Sequence, residues 1–399
     1  FIFNRLKIVD LKKRSNQPIR YKNLIMVFNG EIYNYLSLKD KIFSLDIIMF
    51  FCILILGIIS FFAMYSTDGG EFAYHTKSHI VRFFVFFLLF ITVSFFQVNF
   101  WYTWSIPIYI VILGLLILVK FFGLTSSGSQ RWLDLYFLNL QPSELMKIGL
   151  ILFLAKYYHR ISSGDVNKIR YLIQPFLALL VPVILVVMQP DLGTSFLIAV
   201  GGAIVVWLAG VKMKFFTYLG ALFLFSAPVA ISFLKDYQKS RILTFLDPSR
   251  DPLGAGYQIT QSKIAIGSGG LFGKGFLNGS QSYLDYLPEK HTDFIFTLFS
   301  EEFGFFGSMF ILLIYVLITW RIVGVGHAVR SSFGKLYCYS FATAFFIYVA
   351  VNMGMVLGLI PIVGAPLPIM SYGGSSMMAI MFGLGIVMSC KIHKDQALG

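Results

Sequence analysis

Ten apolar stretches fill most of residues 45–391, and one long polar loop interrupts them just before His291-Thr292-Asp293. An uninterrupted run such as Leu45 to Tyr65 cannot be solvated by water along its length. Spans of about 20 apolar residues instead match the hydrocarbon core of a bilayer. The pattern predicts helices near 45–65, 80–97, 100–122, 142–158, 171–188, 193–210, 214–234, 294–321, 334–358 and 369–391. Only 13% of residues are charged, against about 25% in ordinary soluble domains. A soluble chain of 399 residues needs far more polar surface. The expected fold is therefore an all-α integral membrane protein: a bundle of about ten transmembrane helices with a long extracytoplasmic loop, 235–293, between helices 7 and 8.

Lys and Arg set the orientation. If the first helix starts in the cytoplasm, the inside loops hold Lys156, Arg160, Lys168, Arg170, Lys212, Lys214, Arg321, Arg330, Lys335, Lys391 and Lys394. The short outside loops hold only Lys77, Arg82, Lys120 and Arg131. This bias places both termini inside. It also accounts for the net charge of +13 without nucleic acid as a partner. The first apolar run lacks a small-residue cleavage site, so a cleaved signal peptide is not expected. Cys52, Cys338 and Cys390 sit in or at the ends of apolar runs with no CxxC spacing, which argues against a disulfide framework or a zinc site.

Polar residues inside or beside the spans are the candidates for chemistry. Gln130-Arg131-Trp132-Leu133 leads into Gln141-Pro142-Ser143-Glu144-Leu145-Met146-Lys147. Pro142 suits a first helical turn, where its missing N–H is not needed. Glu144 and Lys147, at i and i+3, share one helix face. They read either as a buried ion pair that fixes packing or as a substrate contact, since ionisable groups within a span face a cavity or each other. Arg131 and Trp132 could grip an anionic headgroup and a sugar face, or anchor the chain at the interface.

In the long loop, Lys239, Arg241, Lys263 and the glycines around Gly267-Ser268-Gly269-Gly270 offer cations and backbone N–H groups to a phosphate. Residues 257–266 have apolar residues at roughly helical spacing. Asp293 reads as a helix N-cap or as a catalytic carboxylate. No Glu or Gln follows three residues later, so a capping box is absent. The Pro- and Gly-rich stretch from Gly358 to Ser376, with Ser371, breaks any helix and reads as an outer turn or as a re-entrant, cavity-lining segment.

These motifs in order resemble the RodA/FtsW/SpoVE (SEDS) family of elongation, division and sporulation proteins over about residues 45–395, closest to its RodA branch. The strongest carriers are Gln189-Pro190-Asp191-Leu192-Gly193-Thr194, Asp251-Pro252-Leu253-Gly254-Ala255-Gly256-Tyr257, Gln261 through Gly270, His291 through Phe296 and Pro368 through Ser375. The resemblance implies a peptidoglycan glycosyltransferase in the bacterial cytoplasmic membrane that polymerises lipid II at the outer face. Its implied partners are a class B penicillin-binding protein and other membrane proteins of the elongation complex. The family's essential aspartate falls on Asp293, and its charged pair on Glu144 and Lys147.

In that chemistry a carboxylate takes the proton of the acceptor hydroxyl. Arg131, Lys147, Arg241 or Lys263, aided by a divalent cation (Mg or Mn), could stabilise the diphosphate leaving group. Trp132, His291 and Ser371 complete the expected substrate contacts. A lipid II flippase and a non-catalytic scaffold are the alternatives, although the repeated halves typical of transporters are not evident.

Residues 1–42 differ from the rest. Arg5 through Leu11, Asn16-Gln17-Pro18 and Val27 through Tyr35 resemble part of the glutamine amidotransferase domain of asparagine synthetases. In that family the pair matching Asn29-Gly30 helps form an oxyanion hole. The nucleophilic cysteine and most of the domain are missing, so ammonia release is not expected. The domains are thus read as an amidotransferase-like, non-functional fragment, 1–42, and a polytopic membrane domain, 43–399.

Overall fold

The computed structural model describes residues 19–21, 24–26, 44–396 and 398, apart from 127–128, 135–138, 163, 233–238, 240–242, 246, 248–250, 252–253, 281–286 and 288. Arg241 and much of the long loop lie outside the described residues. The chain divides into two units, Phe1–Ser44 and Leu45–Gly399. The first contains an antiparallel strand pair, β1 (Ile19–Tyr21) and β2 (Leu24–Met26), with Ile19 opposite Met26.

Helices form in all ten expected stretches of the second unit. In chain order they are α1 (Ile47–Thr67), α2 (Tyr74–Phe95), α3 (Val98–Phe122), α4 (Pro142–His159), α5 (Ile169–Met188), α6 (Leu192–Leu208), α7 (Met213–Ser232), α9 (Ile295–Ala328), α10 (Ser332–Val356) and α11 (Gly374–Ile392). An additional helix, α8 (Ala255–Ser268), lies in the long loop. Three short strands, β3 (Leu124–Ser126), β4 (Ser129–Asp134) and β5 (Asn139–Leu140), form an antiparallel sheet between α3 and α4. By length and composition, seven helices among the described residues are long and apolar enough to cross a membrane: α1, α2, α3, α5, α9, α10 and α11. α6 is apolar but shorter, and α4 carries Glu144, Lys147 and Lys156.

The helices start where local chemistry provides a cap. Asp46 accepts from Met49 N at 3.0 Å and opens α1. Asp191 accepts from Thr194 N at 3.1 Å and opens α6, and Ser331 does the same for α10. Each removes one orphan N–H of a first turn. On α1, Ile47, Phe51, Ile55, Ile58 and Phe62 are exposed, while Met49, Ile53, Leu56, Ser60 and Met64 are buried. That is one helix face each, and an apolar outer face of this kind suits lipid rather than water.

α4 is the innermost element. It packs against α3, α5, α6, α10 and α11, and its residues from Pro142 to Tyr158 are almost all buried. An apolar stripe is therefore not expected on it, because every face meets protein. α9 breaks at Gly304, where φ is +63°. The break frees backbone groups that the segment after α8 takes up. Lys274 N and Gly275 N donate to the Glu301 and Glu302 carbonyls at 3.0 Å, and Phe305 N donates to Gly270 O at 2.9 Å. The end of the long loop is thereby stitched to the start of α9.

Candidate active site at the loop-bearing end of the bundle

The N-termini of α4, α6 and α9 and the C-terminus of α10 gather at one end, together with the turn between α1 and α2. Asp293 precedes α9, and the residue in the cap position is Phe294, with no side-chain cap bond. The Asp293 main-chain carbonyl accepts from Asn352 Nδ2 at 3.0 Å, and the same amide donates to Ala365 O at 2.6 Å. A Cβ placed on Gly364 would lie 3.6 Å from Asp293 Oδ2. One asparagine of α10 thus locks the Asp293 backbone against the 358–373 segment. The carboxylate remains partly exposed.

Glu144 and Lys147 form the ion pair that their spacing suggests, at 2.8 and 2.9 Å. Glu144 is only 4% exposed. Tyr348 of α10 donates to Glu144 Oε2 at 3.2 Å, and the Lys147 ammonium lies 4.0 Å from its ring centroid. The Tyr348 hydroxyl is within electrostatic range of Asp293 and Asp191 as well. Glu144 and Lys147 touch this tyrosine directly, and the charges of Asp293 and Asp191 act on it from further off. Beneath the pair lies a small apolar cavity of about 40 Å³ lined by Ile148, Leu197 and Phe345 among others.

Arg131 joins this group through the sheet. Its NH2 donates to Pro190 O at 2.8 Å and its NH1 lies 3.4 Å from Asp191 Oδ2. Asp191 also accepts from Gln141 Nε2 at 3.3 Å, so it clamps the approach to α4 while capping α6. Trp132 sits on β4 opposite Leu124 and is half-buried. Lys263 is exposed on α8 and packs over the Gly358 backbone at the end of α10. Ser371 is buried, and its hydroxyl accepts from Leu367 N at 2.7 Å. It closes a turn of the Pro-rich segment.

His291 bonds Asp68 Oδ1 through Nε2 at 2.8 Å and stacks on His75 with ring centroids 4.1 Å apart. Its carbonyl accepts from Tyr372 N at 2.8 Å. These contacts fix the loop two residues before Asp293. Burial lowers the His291 pKa below the usual imidazole value, more than the Asp68 contact raises it, with His75 and Lys290 adding to the depression. Burial would raise Asp68, but hydrogen bonds from Thr76 and His291 outweigh it and hold the carboxyl below its ordinary range. Among the described residues, Asp68, His75 and His291 could hold a metal ion, with ligand atoms within 4.8 Å of one another. The surroundings are positive, however. Lys290 acts on His291, and Arg82 lies over Tyr372, which packs on His75. One carboxylate in that field favours the Asp68–His291 hydrogen bond with His75 stacked on it over a bound cation.

Sequence reading alone passed over Tyr348, Asn352, Asp68 and His75 as site residues. Tyr348 and Asn352 are polar groups at i and i+4 in an apolar span, which was the available signal. For Asp68 and His75 there was no local signal, because their partner is more than 200 residues away.

A polytopic helical membrane protein with an acid-rich, loop-covered end is the class that fold and site define. A family model described as a cell cycle protein, FtsW/RodA/SpoVE, matches residues 41–396. The chain is 44% identical over 292 residues to the peptidoglycan glycosyltransferase MrdB of Escherichia coli (strain K12), covering 73% of this chain and 78% of that one. It is similar to a chain in a peptidoglycan synthase complex that coordinates polymerization and crosslinking, with TM-score 0.77 and 30% identity over 88% of this chain and 99% of that one. It is also similar to the rod shape determining protein RodA of Thermus thermophilus, with TM-score 0.67 and 27% identity over 88% and 98% of the two chains. The chain belongs to the FtsW/RodA/SpoVE family. Residues 2–46 separately match a glutamine amidotransferase domain model.

Proposed function

We propose that this protein is a peptidoglycan glycosyltransferase that polymerises lipid II at the outer face of the bacterial cytoplasmic membrane during cell elongation. The observation that carries the reading is a partly exposed Asp293 whose backbone is held by Asn352, one turn of α10 from the Tyr348 that bonds the buried Glu144–Lys147 pair. The glycosyltransferase similarity supplies the reaction type.

In the proposed step the Asp293 carboxylate takes the proton of the GlcNAc 4-hydroxyl as that oxygen attacks the anomeric carbon of MurNAc. The bond from that carbon to the lipid diphosphate breaks, and the diphosphate leaves with the electron pair. Inversion in one displacement needs one base. Glu144, neutralised by Lys147 and Tyr348, orders the floor of the site. Lys263 and Arg131 are the cations that would stabilise the anionic leaving group. Similarity to a synthase complex supports a class B penicillin-binding protein as partner.

Reconstitution with purified lipid II, with and without such a partner, tests the reading. Glycan chains on a gel are the expected product. Lipid flipping without any polymer would overturn it. Orientation is tested by labelling in intact cells. The native cysteines are buried, so Asn278→Cys should react with an impermeant thiol reagent while Lys394→Cys should not. The reverse pattern would place the site on the wrong side of the membrane.

A further inference from the structure

At the end of the bundle away from Asp293, α3, α4 and α5 border a cavity of about 430 Å³. Lys156, Arg160 and Arg170 line it together with Tyr157, Tyr171 and Gln174, and no carboxylate is among its lining residues. Lys156 comes from the last turn of α4, Arg160 is the residue that ends that helix, and Arg170 lies in the first turn of α5. Along α4 the cavity is about 18 Å from Glu144.

Basic residues at the end of a membrane helix ordinarily fan out into water and serve only to orient the chain. Here they converge. Lys156 is 6% exposed. Its ammonium donates to Thr103 O at 3.0 Å and lies 4.9 Å from the Tyr102 ring centroid. Arg160 Nε donates to the Tyr102 hydroxyl at 3.0 Å, which leaves its terminal NH2 groups without a protein acceptor among the described residues. Asp165, the acid of the connecting loop, is held by Lys168 at 2.5 Å and by Ser162 at 2.9 Å. A nearly buried ammonium without a counter-charge is costly. One nearly buried ammonium and two exposed guanidinium groups line the same cavity with no carboxylate among its lining residues, a setting that suits an anion.

The remaining wall says which anion. Ile106 and Phe153 supply apolar surface, and α3 and α5 are both long and apolar enough to span a membrane. The ligand must be charged at one end and apolar at the other. The cavity falls in the size range of small-molecule sites, about 300–1,000 Å³. Basic pockets between membrane helices are a setting in which anionic headgroups bind. We propose that this cavity holds the phosphate headgroup of an anionic phospholipid, with Arg160 and Arg170 on the phosphate oxygens and Lys156 supplying charge from below. This site is independent of the reaction proposed at the other end.

The test uses the full chain in neutral detergent, with phosphatidylglycerol binding followed by native mass spectrometry and by thermal shift. Phosphatidylglycerol should be retained over phosphatidylcholine by about tenfold or more. Arg160→Gln together with Arg170→Gln should erase that preference. Arg170→Gln alone changes an exposed first-turn residue and should lose about fivefold with an unaltered gel-filtration profile. Equal retention of the two lipids would overturn the proposal, as would unchanged phosphatidylglycerol binding in both variants. Displacement of phosphatidylglycerol by inorganic phosphate at equal concentration would mean a free-anion site and would also overturn it.

Discussion

Each end of the bundle holds a buried carboxylate paired with a base, and the two pairs differ in their surroundings. Asp46 takes Arg321 in a forked contact, 2.6 Å to NH2 and 3.1 Å to Nε, while Oδ1 also accepts from Met49 N. Its oxygens are used in capping α1 and tying it to α9. Glu144 instead pairs within its own helix, with Lys147, and shares Tyr348 with the fields of Asp191 and Asp293. Burial and pairing alone therefore do not separate a packing device from a site. The company of further acids, at the end where loops gather, does.

Four changes sharpen or break that contrast. The largest effect is expected from Asp293→Asn, which should lower glycan polymerisation by about 10²–10⁴-fold, because an amide cannot take the hydroxyl proton. Insertion and thermal stability should stay near normal, since Asn is nearly isosteric and itself a good cap, and Asn352 holds the main-chain carbonyl. Substantial polymer from well-folded Asp293→Asn would move the base assignment to Glu144.

Glu144→Gln comes next. It leaves the Lys147 ammonium uncompensated, which should cost about 3 kcal/mol of stability and reduce polymerisation about tenfold or more. Adding Lys147→Met should recover stability but not activity. Recovery of both would make this pair the same kind of device as Asp46–Arg321. Asp46→Asn should cost stability of similar size, about 3 kcal/mol, with the specific activity of the folded fraction unchanged. A selective loss of activity there would erase the distinction between the ends. Removal of residues 1–40 should have the smallest effect, leaving both insertion and polymerisation as they were. A loss in protein that still reaches the membrane would reveal a contribution from the front segment.

Much of the helical plan was legible, and the misplaced boundaries have local causes. α2 was expected from residue 80 but begins at Tyr74. His75, Lys77 and His79 make its first turns polar, and Asp68 Oδ2 accepts from Thr76 N to start it early. α9 was expected to end at Arg321 but runs to Ala328. Arg321 is no boundary there, because Asp46 neutralises it within the bundle. The last helix was expected from residue 369 but starts at Gly374, after the turn that Ser371 closes.

The site was legible only in part. Glu144 and Lys147 were paired by spacing, because an i, i+3 contact depends on one helix alone. Asp293 could be singled out by its position, yet the partners that hold its backbone, Asn352 and through it Ala365, lie 59 and 72 positions away. Arg131 on Asp191, Tyr348 on Glu144 and His291 on Asp68 required contacts across 60 to 223 positions.

By itself the sequence determined that this chain is a helical membrane protein, which segments are helical, and which ionisable residues sit at their ends. Hydropathy and caps are sums over near neighbours, so a window of about 20 residues contains them. Only the tertiary structure decided that Tyr348 bonds Glu144, that one asparagine locks the backbone of Asp293, and that Lys156, Arg160 and Arg170 line one cavity at the far end. Those contacts depend on how helices rotate and pack against partners distant in the chain, and side-chain periodicity within one helix leaves that rotation undetermined when, as for α4, every face is buried.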